Sequence, residues 1–162
     1  MMSNTFRFVS LLALGTWVGS IIYFVAIVTR GAFAVLTRDQ AGALVGFTLA
    51  GLHETGIIAA IVFLIATVGL EMSVKAVTRP AAIGVVAMLL MTLVSQRMVI
   101  PRMEALRIEV VSVDATPPSD PRRAEFDRLH GMSVDLEAGV LLIGLVALFL
   151  TVRENSHPST HP

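Results

Sequence analysis

The sequence contains no cysteine among its 162 residues, and only 15% of its residues are charged. Without cysteine the chain forms no disulfide, no thiolate zinc site and no cysteine nucleophile, so any metal would have to be bound by His, carboxylate or Met. Net charge is absent too, since twelve Lys and Arg balance twelve Asp and Glu. A chain without excess positive charge has no electrostatic basis for binding nucleic acid, and we exclude that class of partner.

Apolar residues are what the chain has in abundance, with 55% hydrophobic residues and a mean hydropathy of +0.79. They are concentrated in four long segments, at about residues 8–28, 45–70, 81–100 and 132–152. Each segment reaches the roughly 20 residues that a helix needs to cross the hydrocarbon core of a bilayer. Backbone polar groups in lipid must be satisfied within the segment, and strand alternation is absent. We therefore predict an all-α integral membrane protein, an up-down four-helix bundle.

Four spans place both chain termini on one side of the membrane, the terminal side, and the loops 30–44 and 101–129 on the other, the loop side. Eight Arg residues fall on the loop side and four Lys or Arg on the terminal side. The positive-inside rule then predicts that the loop side is cytoplasmic. We expect an integral protein of a bacterial inner membrane, with a single transmembrane domain over 1–153 and a short disordered tail over 154–162.

The third connection shows helical order of its own. Residues 101–111 continue the pattern of the third helix past Pro101, where we expect a kink. After a turn over 116–119, Asp120 can cap a new helix that has Pro121 at its first position. We predict a helical hairpin that projects from the membrane between helices 3 and 4.

Two pairs of glycines have the four-residue spacing typical of contacts between membrane helices. They are Gly15 with Gly19 and Gly42 with Gly46. We predict that they pack helices 1 and 2 together within one chain. A homodimer seam is the alternative.

A stripe with steps of three and four residues follows the third helix. It comprises Gly84, Met88, Met91, Ser95, Met98 and Arg102. Thioether sulfur is a soft ligand for monovalent copper, and Met also fills gaps in apolar cores. We predict core packing, because a metal path would need more Met on the facing helices.

Ionisable side chains within the spans are the candidate site, because such groups are costly in lipid and therefore usually paired, solvated or functional. The topology places them at one depth, near the loop side. The cluster consists of His53, Glu54, Gln96, Arg97, His130, Asp135 and Glu137. Arg97, as the polar partner, faces three carboxylates, so the cluster carries two excess negative charges if all are ionised.

The sequence leaves open what balances these two excess negative charges. His53, Glu54, His130, Asp135 and Glu137 could form a His and carboxylate site for zinc, iron or manganese, and two facing histidines could hold haem. The same groups could form a structural cluster of salt bridges and hydrogen bonds, or a hydrated path for a proton or cation. A metal or haem is thus compatible with the sequence, and none is required.

Three stretches carry a family resemblance: Leu11–Gly19, Pro101 with Arg102, and Phe126–Ser133. With them the chain resembles, over about residues 6–152, the four-helix membrane family typified by transmembrane protein 205, a domain of unknown function. It is more distantly similar to copper-resistance D-like membrane proteins and to membrane proteins of haem synthesis. That resemblance implies metal or haem binding by histidines near helix ends, and it carries over to His130. Asp135, Glu137 and the pair His53 and Glu54 depart from the family pattern.

The sequence favours a non-enzymatic membrane protein, because it has neither a nucleophile elbow nor a phosphate-binding loop. Our first hypothesis is a protein that handles or passes a small cation or metal through the polar cluster. The second is an accessory or scaffolding subunit of a larger membrane complex of the electron-transfer type. The third is a haem-dependent membrane oxidoreductase. The expected partners are the lipid bilayer and other membrane subunits.

Overall fold

The computed structural model describes residues 2–110, 112–113 and 115–156, and these ranges contain helices and no strand. The elements in chain order are α1 (Met2–Tyr23), a π-helical segment (Phe24–Thr29), α2 (Arg30–Val35), α3 (Arg38–Glu71), a 3₁₀ helix (Val74–Thr78), α4 (Pro80–Val94), a second π-helical segment (Ser95–Val99), α5 (Ile100–Val110) and α6 (Pro121–Ser156).

These elements join into four helices that are long and apolar enough to cross a membrane. We name them the first to fourth spans: Asn4–Val35, Arg38–Glu71, Pro80–Val110 and Pro121–Glu154. They confirm the predicted all-α bundle and support an integral membrane protein. With 31 to 34 residues each, the spans are about 50 Å long, whereas the hydrocarbon core is about 30 Å thick.

The surplus length lies on the loop side. At the other end, the Arg79 guanidinium pairs with Glu71 and lies 3.7 Å from Glu154. Arg79 directly precedes the third span, so charges at the ends of the second, third and fourth spans meet at the terminal side. Counting about 20 residues from these charges puts the opposite membrane boundary near residues 51, 100 and 134. Measured from these charges, the helices on the loop side are longer than a 20-residue span requires.

The four spans form a ring in chain order, so that the first and third, and the second and fourth, lie diagonally. Close contacts between them depend on small residues. Trp17 is 1% exposed and its indole lies against Gly56 of the second span, where a Cβ would overlap the ring. Trp17, Phe63, Met88 and neighbouring apolar side chains form the core.

The predicted hairpin between helices 3 and 4 is confirmed. The N–H of Arg122 donates to Asp120 Oδ1 at 2.8 Å, which caps α6 as expected, with Pro121 as its first residue. The Arg122 guanidinium beside Asp120 lowers the pKa of that carboxyl to about 2. The hairpin has a small core of its own, formed by Val99, Leu106, Phe126 and Leu129.

The third helix continues through Pro101 by means of the segment Ser95–Val99. Proline has no N–H, and its ring clashes with the carbonyl four residues back. The helix widens just before it, and the N–H of Ile100 bonds the carbonyl of Ser95, five residues back. The expected irregularity at Pro101 is therefore a π turn.

The same turn divides the methionine stripe. Met88 packs on Gly144 and Met91 on Gly139 of the fourth span, so both are core residues as predicted. Met98 lies beyond the start of the π turn and is 69% exposed. The prediction of a single continuous face was wrong for Met98 and Arg102, because the wider turn rotates the residues that follow.

Two expected segment boundaries differ in the structure. The connection predicted over 30–44 is reduced to Leu36 and Thr37, because Thr37 forms a reciprocal capping box with Gln40 and begins α3. Helix α6 reaches Ser156, and residues 157–162, most of the expected tail, lie outside the described residues.

The glycine pairs do not join the first two spans as predicted. A Cβ at Gly15 or Gly19 would meet nothing within 4 Å, so this pair makes no close contact within the chain. Gly42 and Gly46 lie against the side chain of Arg107, from the third span. Glycine spacing alone does not specify which surface a helix turns toward its neighbour.

Candidate functional site

Three polar side chains from three spans meet inside the bundle. His53 is 2% exposed; its Nδ1 lies 3.0 Å from Gln96 Oε1 and its Nε2 lies 3.2 Å from Glu137 Oε2. Because the second and fourth spans are diagonal partners, the contact between His53 and Glu137 crosses the centre of the bundle. Gln96 and Glu137 are half-buried, and we call His53, Gln96 and Glu137 the trio.

Each member of the trio is positioned by its own helix. His53 lies on the buried stripe of α3, between Leu52 and Gly56. Gln96 lies in the π-helical segment, and such turns are frequent at functional sites because they redirect side chains. The trio thus depends on a local irregularity of the third span.

The chemistry of the trio follows from its donors and acceptors. Gln96 Oε1 and carboxylate oxygens are acceptors, so a doubly protonated His53 can donate to both partners when Glu137 is ionised. When Glu137 is protonated, it donates to Nε2, and His53 still donates from Nδ1 to Gln96. One proton can therefore lie on either partner while every contact is kept.

A cavity of about 510 Å³ extends from loop-side residues to Glu137. His130, Ser133 and Glu137 line it along the fourth span, and Ile21, Leu49 and Leu141 provide apolar walls. Glu137 therefore has two environments, because its carboxylate contacts His53 and the residue also lines the cavity.

Arg107 lines the cavity on the loop side. Its guanidinium lies beside Gly42 and Gly46, 3.2 Å from Glu104 and 5.8 Å from the centre of the Phe126 ring. A cation over an aromatic face is attracted to it, and the glycines leave room for the side chain. Sequence reasoning missed Arg107, although the spacing of Gly42 and Gly46 marked the surface that receives it.

Toward the terminal side, the polar groups next to the trio are Thr92 and Ser95, and buried hydroxyls nearer that end, such as those of Thr67 and Thr151, donate to carbonyls of their own helices. The hydroxyls of Thr92 and Ser95 are buried and have no hydrogen-bond partner among the described residues. Beyond them the interior is occupied by Met88, Val85 and Phe63, which are at most 2% exposed. The trio is therefore connected to the loop side and separated from the terminal side by apolar packing.

The remaining predicted site residues lie elsewhere. Glu54, Arg97 and Asp135 are exposed on the outside of the bundle and form no ion pair with any described residue. His130 is exposed and stacks on Phe126, with 6.4 Å between ring centres. Of the five predicted metal ligands, only His53 and Glu137 are brought into contact. Within the described ranges, no three His, Asp or Glu side chains are grouped closely enough to hold a metal ion.

Comparison with known proteins gives one family. Its description, Domain of unknown function (DUF4149), matches residues 12–111, which include His53 and Gln96 but not Glu137. No curated protein and no solved structure matches the chain. The expected relation to transmembrane protein 205 and to copper-resistance D-like proteins receives no support. Because the match covers more than half of the sequence, the chain belongs to the DUF4149 family.

Proposed function

We propose that this membrane protein binds and releases a proton at the pair His53 and Glu137, in exchange with the aqueous phase on the loop side. The observation that carries the proposal is the double position of Glu137. Its carboxylate contacts a buried imidazole, and the residue also lines the loop-side cavity. Ionisable groups within a membrane span are by default candidates for such a role.

A proton suits the pair better than a metal ion does. Both ring nitrogens of His53 are already engaged, one with an amide oxygen and one with a carboxylate. A metal would have to displace one of these partners, whereas a proton moves along the existing contact between Nε2 and Oε2. Burial in low dielectric favours states in which such charges are balanced.

We propose that protons exchange with the loop side only and are not conducted across the membrane. Met88, Val85 and Phe63 fill the interior between the trio and the terminal side. A proton taken up from the cavity therefore has a route back to the loop side only. This favours a proton-binding or pH-sensing role over a proton channel.

Infrared difference spectroscopy tests the proposal on protein reconstituted in lipid. A step in pH on the loop side should produce a protonated-carboxyl band that shifts in heavy water. We expect Glu137→Gln to remove this band and His53→Gln to shift it, because the imidazole is the hydrogen-bond partner.

Asp135→Asn is the matched control, since Asp135 is a carboxyl two residues away that lies outside the trio. Persistence of the full band in folded Glu137→Gln protein would contradict the proposal, as would a band removed only by Asp135→Asn.

A second candidate is the accessory or scaffolding subunit. It is favoured by the exposure of Glu54, Arg97 and Asp135 at the depth of the trio, because charges facing lipid are stabilised by a neighbouring protein. Haem binding has less support, since His53 is fully bonded and the ring of His130 stacks on Phe126.

A further inference from the structure

Two opposite charges lie at the same depth on the outside of the bundle. The contact between His53 and Gln96 fixes the register of the second and third spans. Glu54 follows His53 in the chain and Arg97 follows Gln96, so these two charges share one level. Both side chains are exposed, and no ion pair joins them within the described part of the chain.

Helix geometry places both charges on one outer face. Gly56 meets Trp17 of the first span, and Glu54, two residues earlier, is about 200° around the helix and so points away from the first span. Met88 meets Gly144 of the fourth span, and Gln96, in the π-helical segment, meets His53 of the second. Arg97 is the next residue of that segment and is exposed, which places it on the outer side of the third span beside the second. Both charges therefore lie on the outer surface formed by the second and third spans.

We call this surface the 2/3 face, and it is otherwise apolar. Ile58 and Ile65 of the second span and Leu90 and Val94 of the third are exposed on it. Gly51, one turn from Thr55, is exposed with nothing within 4 Å of its Cβ position, which leaves room for a neighbouring helix. An apolar surface with one acid and one base at a single depth is costly toward lipid and complementary to a copy of itself.

We propose that the chain forms a homodimer through the 2/3 face. A two-fold axis along the membrane normal keeps every residue at its depth and makes the interface self-complementary. Glu54 of each copy then meets Arg97 of the other, which gives two reciprocal ion pairs. Asp135 has the same sign and nearly the same depth, but it lies half a turn from Gly144, on the outer side of the fourth span.

Charge reversal tests this pairing. Glu54→Arg gives a copy with only positive charges on the face, and Arg97→Glu gives a copy with only negative charges. Each variant alone should dimerise more than about tenfold more weakly, because its own charges repel. Mixed together, the two variants should associate with each other, since both ion pairs are then restored between unlike copies.

Energy transfer between copies in lipid vesicles measures the association. The chain lacks cysteine, so Ser119→Cys in the exposed hairpin turn gives a single labelling site. Asp135→Asn is the control and should transfer energy as the unmutated sequence does.

The mixed sample separates contacts between copies from contacts within one copy. An ion pair within one chain would leave the mixture as weak as its components, and that result would overturn the proposal. Energy transfer no greater than random proximity for the unmutated sequence would overturn it too. Cysteine crosslinking tests the assigned face while both charges stay intact. A crosslink between Thr55→Cys and Met98→Cys copies would support this face, provided that Leu142→Cys and Met98→Cys copies form none.

Discussion

His53 and Glu54 are neighbours in the sequence, yet one is buried in the centre of the bundle and the other faces outward. Their depth could be predicted, because the uncharged runs and the four-span topology place them near the loop side. Their orientation could not, because lipid-facing and core-facing positions of a membrane helix are both apolar, so hydrophobic periodicity does not mark the inner face. The rotation of the second span is set by contacts such as that of Gly56 with Trp17.

Replacement of Gly56 tests that contact. We expect Gly56→Ala to lower the stability of the bundle by about 1–3 kcal/mol, because the added methyl overlaps the indole of Trp17. Thermal unfolding in mild detergent measures the change. Gly15→Ala is the control, since its Cβ meets nothing within 4 Å and alanine favours the helix by up to about 1 kcal/mol. Equal stability of the two variants would contradict the packing described.

The helices are longer than the apolar runs that predicted them. Apolar runs count only the residues in lipid, and polar residues continue the same helices on the loop side. The hairpin was predictable because its signals are local: Asp120 caps, Pro121 starts the helix, and residues 101–111 keep the helical pattern. The capping box of Thr37 and Gln40 is an equally local signal, and it would have reduced the predicted loop over 30–44 to a turn.

Arg107 links the hairpin to the second span, and its removal should loosen that end of the bundle. In Arg107→Ala we expect faster amide exchange over Ile100–Val110, because the guanidinium loses Glu104, Phe126 and its place beside Gly42 and Gly46. Hydrogen exchange followed by mass spectrometry measures the change.

Arg102→Ala provides the comparison. Arg102 is exposed and pairs with Glu125 at the surface, where solvent screens the interaction. Exchange that rises equally in both variants would show that Arg107 is only another surface charge.

Across the whole bundle, the proposed proton exchange depends on an asymmetry between the loop-side and terminal-side ends. The loop-side end contains a cavity of about 510 Å³ that reaches Glu137. Between the trio and the terminal side, apolar side chains fill the interior. The sequence predicted that polar groups gather at one depth, and three of the seven do meet. The cavity itself could not be predicted, because it is the gap that remains between four spans whose rotations the sequence does not specify.

Cysteine accessibility tests most directly whether the trio is open to the loop side alone. Ser133→Cys lines the cavity four residues from Glu137, whereas Met88→Cys lies in the apolar packing between the trio and the terminal side. In sealed vesicles, a membrane-impermeant thiol reagent should modify Ser133→Cys under the conditions that modify Ser119→Cys on the hairpin. Under conditions that modify only Val74→Cys at the terminal side, the same reagent should leave Ser133→Cys unmodified. Met88→Cys should react from neither side. Modification of Ser133→Cys from the terminal side, or its failure to react from the loop side, would contradict the account.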